Sequence, residues 1–129
     1  MASPLDKSQK SILIVDDTPA NLRLLVEILS KEGYQVRPAT NGARALTAVR
    51  AEPADLILLD IMMPEMDGYE VMRRIRQQSQ FRTLPILALT AKAMKGDREK
   101  CIAAGANDYL PKPVDTERLF SMLRVWLYQ

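Results

Sequence analysis

The 129-residue chain is predicted to be an α/β domain, a doubly wound parallel sheet of five strands covered by five helices. Two observations predict it. Five short runs rich in apolar and branched residues, SILIVDD (11–17), YQVRPAT (34–40), DLILLD (55–60), LPILALT (84–90) and DYLPKPV (108–114), alternate with segments of helical spacing. The first, third and fourth runs are continuously apolar, as strands are when helices cover both faces of their sheet.

Each element has its own local signal. Residues 1–10 are polar and read as a tail, so the domain is expected over 11–129. After strand one, Thr18 can cap a helix, Pro19 suits its first turn, Leu22, Leu25, Val26 and Leu29 form an apolar stripe, and Gly33 can stop it. Helix two is expected at about 43–52 and helix four at about 95–104, both weakly marked. Helix three should follow Asp67 and Gly68 with Met72 and Ile75 facing inward. Asp115 can cap helix five, where Leu119, Met122, Leu123 and Trp126 recur at i, i+3, i+4 and i+7. No repeat, low-complexity tract or internal linker interrupts this pattern.

Composition narrows the function. Eighteen basic residues nearly balance sixteen acidic ones and are dispersed, so the net charge of +2 gives no long-range attraction for nucleic acid. No stretch approaches the roughly 20 apolar residues that span a bilayer, and the start of the chain lacks an apolar signal core. The single Cys101 cannot form an internal disulfide and reads as a small apolar helix residue, which suits a reducing, cytoplasmic setting. The chain has no histidine, so an imidazole base or phosphoryl carrier must come from another molecule.

The polar residues at strand ends are not scattered. Asp16 and Asp17 end strand one, Asp60 ends strand three, Thr90 ends strand four and strand five runs into Lys112. All lie at carboxyl ends, the edge where open α/β sheets bind ligands. Taken singly, Asp17 or Thr90 can be a cap, Asp16 a solvated acid and Lys112 a surface cation. Asp60 resists such a reading, because a buried strand precedes it and no helix starts directly after it. Three converging carboxylates repel one another unless a cation lies between them, and a few hard oxygen ligands favour Mg²⁺. With that metal in place Asp60 can attack phosphorus, while Lys112 and Thr90 supply a positive charge and a hydroxyl donor to the transferring group.

The motifs VDD, LILLDIMMPEMDGYEVMRRIR, LALTA and GANDYLPKPV resemble the receiver domain of two-component response regulators over 11–126. The resemblance implies a flavodoxin-like sheet of order 2-1-3-4-5 and a phosphoacceptor switch, not an enzyme acting on a separate substrate. It implies that Asp60 is the phosphoacceptor, that Asp17, Asp60 and the Met62 backbone carbonyl bind Mg²⁺ (or Mn²⁺), and that Asp16 does so through water. It also implies a cis Lys112–Pro113 bond and a switch in which Thr90 moves and Tyr109 turns inward. The donor would be a sensor histidine kinase or a histidine phosphotransfer protein, docking near helix one. The readout face, and a possible dimer interface, would be helix four, strand five and helix five, with an unspecified downstream protein and no direct nucleic-acid or membrane contact.

Met62 and Lys92 stand where fast self-dephosphorylating family members carry polar, acidic or amide side chains, so slow hydrolysis is expected. The stretch LTAKAMKGDREKCIAAGANDYLPKPV also resembles receivers of hybrid histidine kinases, leaving a stand-alone regulator and a piece of a larger kinase both open. Two rivals remain: a phosphorylation-independent binding module on the same fold, and a flavodoxin-like electron carrier. The acidic VDDTPAN loop, without a Gly-rich phosphate cradle, disfavours the second.

Overall fold

A computed structural model describes residues 7–91 and 96–128. Five parallel strands, β1 (Ser11–Val15), β2 (Gln35–Ala39), β3 (Leu56–Asp60), β4 (Ile86–Thr90) and β5 (Asp108–Pro111), form one sheet in the order β2-β1-β3-β4-β5. Between and after them run α1 (Pro19–Lys31), α2 (Gly42–Ala51), α3 (Gly68–Arg76), α4 (Asp97–Ala104) and α5 (Thr116–Leu127), with short 3₁₀ turns at Lys7–Gln9 and Ser79–Phe81. The chain leaves β1 toward β2 and then returns across β1 to β3. Strand order therefore reverses between β1 and β3, and a crevice opens at their carboxyl ends.

The continuous apolar runs have a simple cause. Along β1, Ile12 and Ile14 pack with Leu22, Leu25 and Leu29 of α1 and Leu119 and Leu123 of α5, while Leu13 and Val15 pack with α2 and α3 on the other face. β3 divides in the same way, with Leu56 and Leu58 on one face and Ile57 and Leu59 on the other. A strand with two covered faces must be apolar at every position, since successive side chains alternate between them. Every residue of β3 and β4 is buried, including Asp60 and Thr90 at their ends.

Helix signals fared unevenly. Asn41, Asp67 and Asp115 each accept a hydrogen bond from the first turn of the helix that follows. Pro19 opens α1, but Thr18 makes no side-chain cap; its amide instead donates to Asp16 Oδ1 at 2.8 Å. Gly33, at φ 103°, lies two residues past α1 in a conformation that a side chain resists. On α5, Leu119 and Leu123 are buried, whereas Met122 and Trp126 only pack partly against the core. The expected start of helix four near 95, and Lys92, lie outside the described residues.

At the amino edge of the sheet, the Lys7–Gln9 turn belongs to the fold. Lys7 pairs with Glu32 and lies over the Tyr34 ring, and Lys10 lies over the Tyr128 ring beyond α5. At the same edge Arg76 donates to the carbonyls of Phe81 and Gly105 and to Asn107 Oδ1, which in turn accepts from the Ile86 amide at 2.9 Å. One half-buried guanidinium thus ties α3 to the end of α4 and to the starts of β4 and β5. No described helix is long and apolar enough to cross a membrane.

Candidate functional site

The carboxyl edge of the sheet gathers the charged residues that the sequence singled out. Parallel pairing sets β1 beside β3 with Val15 opposite Leu59, so Asp16 and Asp60 leave their strands at one level. Ligand oxygens of Asp16, Asp17 and Asp60 all lie within 4.8 Å of one another. Asp16 is fully buried and Asp60 is 2% exposed, while Asp17 stands closer to solvent. The turn after β1 explains Asp16: its Oδ1 accepts from the Thr18 amide, and its Oδ2 accepts from Lys112 Nζ at 3.0 Å.

Lys112 bridges two acids, reaching Asp60 Oδ1 at 3.2 Å as well. Its position follows from β5, whose carboxyl end is held when the Lys112 amide donates to the Thr90 carbonyl at 2.7 Å. The next peptide, Lys112–Pro113, is cis, as expected. Thr90 is buried at the end of β4, in register with Pro111. Tyr109, opposite Ala88, is half-buried against the α2, α3 and α4 side of the core.

The electrostatics follow from burial. Loss of water pushes the Asp60 carboxyl from 3.8 up to about 6, and the Asp16 charge adds to the rise, while Lys112 and the Met62 amide oppose it. Burial acts to lower the pKa of Lys112, yet the hydrogen bond to Asp16 and the charges of Asp60 and Asp16 outweigh it, so that pKa is raised. Three ionised carboxylates around one ammonium leave an excess of two negative charges, which a divalent cation would cancel. Carboxylate oxygens suit Mg²⁺ better than a soft metal.

The arrangement can therefore hold a hard cation and present a buried carboxylate oxygen as a nucleophile. The five expected side chains, Asp16, Asp17, Asp60, Thr90 and Lys112, all occupy this edge; Tyr109 sits farther down β5, and Met62 projects outward at 56% exposure. Sequence reasoning missed two backbone features. The Met62 amide donates to Asp60 Oδ1 at 3.2 Å, a bond set by the turn and not by the side chain at position 62. Gly68, noted only as a helix start, packs its Cα side directly against the Asp60 and Ile61 backbone.

Comparison with known proteins places the chain and its fold in one family. Residues 12–124 match the family model of the response regulator receiver domain. The chain is 41% identical over 117 residues to the signal transduction histidine-protein kinase BarA of Shigella flexneri, covering 91% of this chain but only 13% of that protein. It is 36% identical over 118 residues to the polar-differentiation response regulator DivK of Brucella anthropi, covering 92% of this chain and 96% of DivK. Among solved structures, it resembles the receiver domain of the sensor histidine kinase PA1611 of Pseudomonas aeruginosa, described with a magnesium ion coordinated in its active-site cleft. The TM-score is 0.86 at 40% identity, covering 93% of this chain and 98% of that one.

Proposed function

Since the chain belongs to the response regulator receiver family of two-component signalling, we propose that Asp60 accepts a phosphoryl group from a phosphohistidine on a partner protein. The observation that carries this is Asp60 itself: a carboxylate ending a fully buried strand, beside two further acids, with a lysine at 3.2 Å. An Asp60 oxygen attacks phosphorus, an acyl phosphate bond forms and the P–N bond to the donor breaks. The imidazole leaves with that electron pair, neutral where its other ring nitrogen already carries a proton and otherwise taking one from solvent.

Asp17, Asp60 and the Met62 carbonyl would hold Mg²⁺ (or Mn²⁺) directly, and Asp16 through water. When bound, the cation neutralises the carboxylates and draws the phosphoryl oxygens toward the site. Lys112 stays with Asp16 and turns its charge from the Asp60 carboxylate to a phosphoryl oxygen. The Thr90 hydroxyl donates to another, and its shift lets Tyr109 turn inward. Phosphorylation then favours one of two pre-existing states by contacts better made in that state.

The donor, a histidine kinase or phosphotransfer protein, would dock on the groove of about 390 Å³ between α1 and the β5–α5 connection. Leu24, Leu25, Ile28 and Val114 line it together with Asp16 and Lys112. The α4–β5–α5 face would carry the output to a downstream protein or a second copy, and a cytoplasmic location belongs to the same reading. Within it, residues 11–129 act as the receiver. Incubation with acetyl phosphate and Mg²⁺ should add one phosphoryl group by intact mass, and Asp60→Asn should abolish the gain. A wild-type protein that stays unmodified, or an Asn variant modified equally, would refute the proposal.

A further inference from the structure

We infer that Gly68 is a positioning residue for Asp60, keeping the nucleophile and the adjacent metal-binding carbonyl in register by letting α3 abut the Asp60–Ile61 backbone. The inference rests on the role proposed above for Asp60. A methyl group at Gly68 would lie 2.6 Å from the Asp60 carbonyl oxygen, 2.8 Å from Ile61 Cα and 2.8 Å from Ile61 Cδ1. The first two contacts are backbone atoms and cannot swing aside. Opening the shortest one to ordinary contact requires a displacement of about 0.8 Å or more, beyond the tolerance of about 0.5 Å within which a reactive constellation must be held.

The loop leaves little slack for that displacement. The Gly68 amide donates to the Ile61 carbonyl at 2.9 Å, the Met63 amide to the same carbonyl at 3.2 Å and the Met66 amide to Pro64 at 2.8 Å. Glu65, inside this closed turn, has φ 68°, a conformation uncommon for a residue with a side chain. On its other side, Asp67 anchors α3 by accepting from the Glu70 amide at 3.0 Å. With α3 fixed by its cap and by Val71, Met72 and Ile75 in the core, the Asp60–Ile61 peptide would have to yield. That peptide separates the nucleophilic carboxylate from the Met62 backbone, whose amide bonds Asp60 Oδ1.

The remaining glycines do not share this relation. Gly105, at φ 126°, would meet the flexible Arg76 side chain at 2.9 Å, at the opposite edge of the sheet. Gly105→Ala is therefore the control for lost stability alone, since destabilisation that leaves the native state populated does not change the affinity of the folded molecule.

The test measures Mg²⁺ affinity by titration of backbone amide resonances, together with the rate of acetyl phosphate-driven modification, in wild type, Gly68→Ala, Gly105→Ala and Ile61→Val/Gly68→Ala. Gly68→Ala should weaken Mg²⁺ binding and slow modification by tenfold or more, while Gly105→Ala stays within twofold of wild type in both. The double variant removes the Cδ1 overlap but keeps the backbone one, so it should fold and retain the defect. A smaller change than tenfold in Gly68→Ala, recovery in the double variant, or an equal defect in Gly105→Ala would overturn the inference. So would failure of both Gly68 variants to fold, because packing would then account for the glycine. A wild type that neither binds Mg²⁺ nor takes up phosphoryl would instead sink the role proposed for Asp60.

Discussion

Replacing Asp60 by Asn is expected to stabilise the metal-free fold at neutral and alkaline pH. Burial pushes this carboxyl from 3.8 up to about 6. A rise of about two units, at 1.36 kcal/mol each, sets a ceiling near 3 kcal/mol on what the charge costs the native state. The opposing attraction to Lys112 is already contained in that net rise, and relaxation around the site reduces the gain to about 1–3 kcal/mol. The sign follows from linkage. A pKa raised on folding contributes stability that is complete below the unfolded value of 3.8 and is lost as pH rises through about 6.

Asparagine does not ionise, so its advantage over wild type should be negligible near about pH 4, grow between about pH 4 and 6, and level off above about pH 7. Urea unfolding in EDTA across that range measures it, with a melting temperature several degrees higher for the variant at about pH 8. Added Mg²⁺ should shrink or reverse the difference by stabilising wild type through binding to the native state. A variant no more stable than wild type in EDTA at about pH 8 would refute the account of Asp60 as a costly buried charge.

Three other outcomes are expected. Lys112→Met should slow phosphoryl uptake at least tenfold and destabilise the metal-free protein by about 3 kcal/mol, because removing one partner strands buried carboxylates; urea unfolding and intact mass measure both. Arg76→Ala should cost about 2–4 kcal/mol by leaving the Gly105 and Phe81 carbonyls without their donor, while Mg²⁺ affinity at the opposite edge stays within twofold. The phosphorylated protein should persist for minutes or longer with Mg²⁺, since Met62 has no group to orient an attacking water, and Met62→Asn should shorten that lifetime severalfold by loss of the phosphorylated mass.

Much of the site was legible because its residues violate the pattern of their surroundings. An acid at the end of LILLD has no place in a two-sided core, and the same holds for Asp16 after SILIV. Strand order was less accessible: periodicity identifies strands but not neighbours, and the order came through family resemblance. Thr18 looked like a cap by residue type, but the Asp16 carboxylate takes the Thr18 amide and shapes the turn. Trp126 had helical spacing yet stays half-buried, because its place near the margin of the helix stripe meets only part of the core. Arg76 gave no signal in the stretch RRIR, where only packing distinguishes its half-buried guanidinium from Arg73 and Arg74, both paired with Glu70. The support beneath Asp60 was likewise invisible, being made of backbone.

The stacking of Lys10 over Tyr128 places residues near both extremities of the described fold at the rim remote from Asp60. A surface linker, a fluorophore or a neighbouring module joined through either side would leave the phosphoryl-accepting mouth unobstructed. Sensor chips and affinity columns that capture the protein from that rim should therefore present the mouth to kinases in solution.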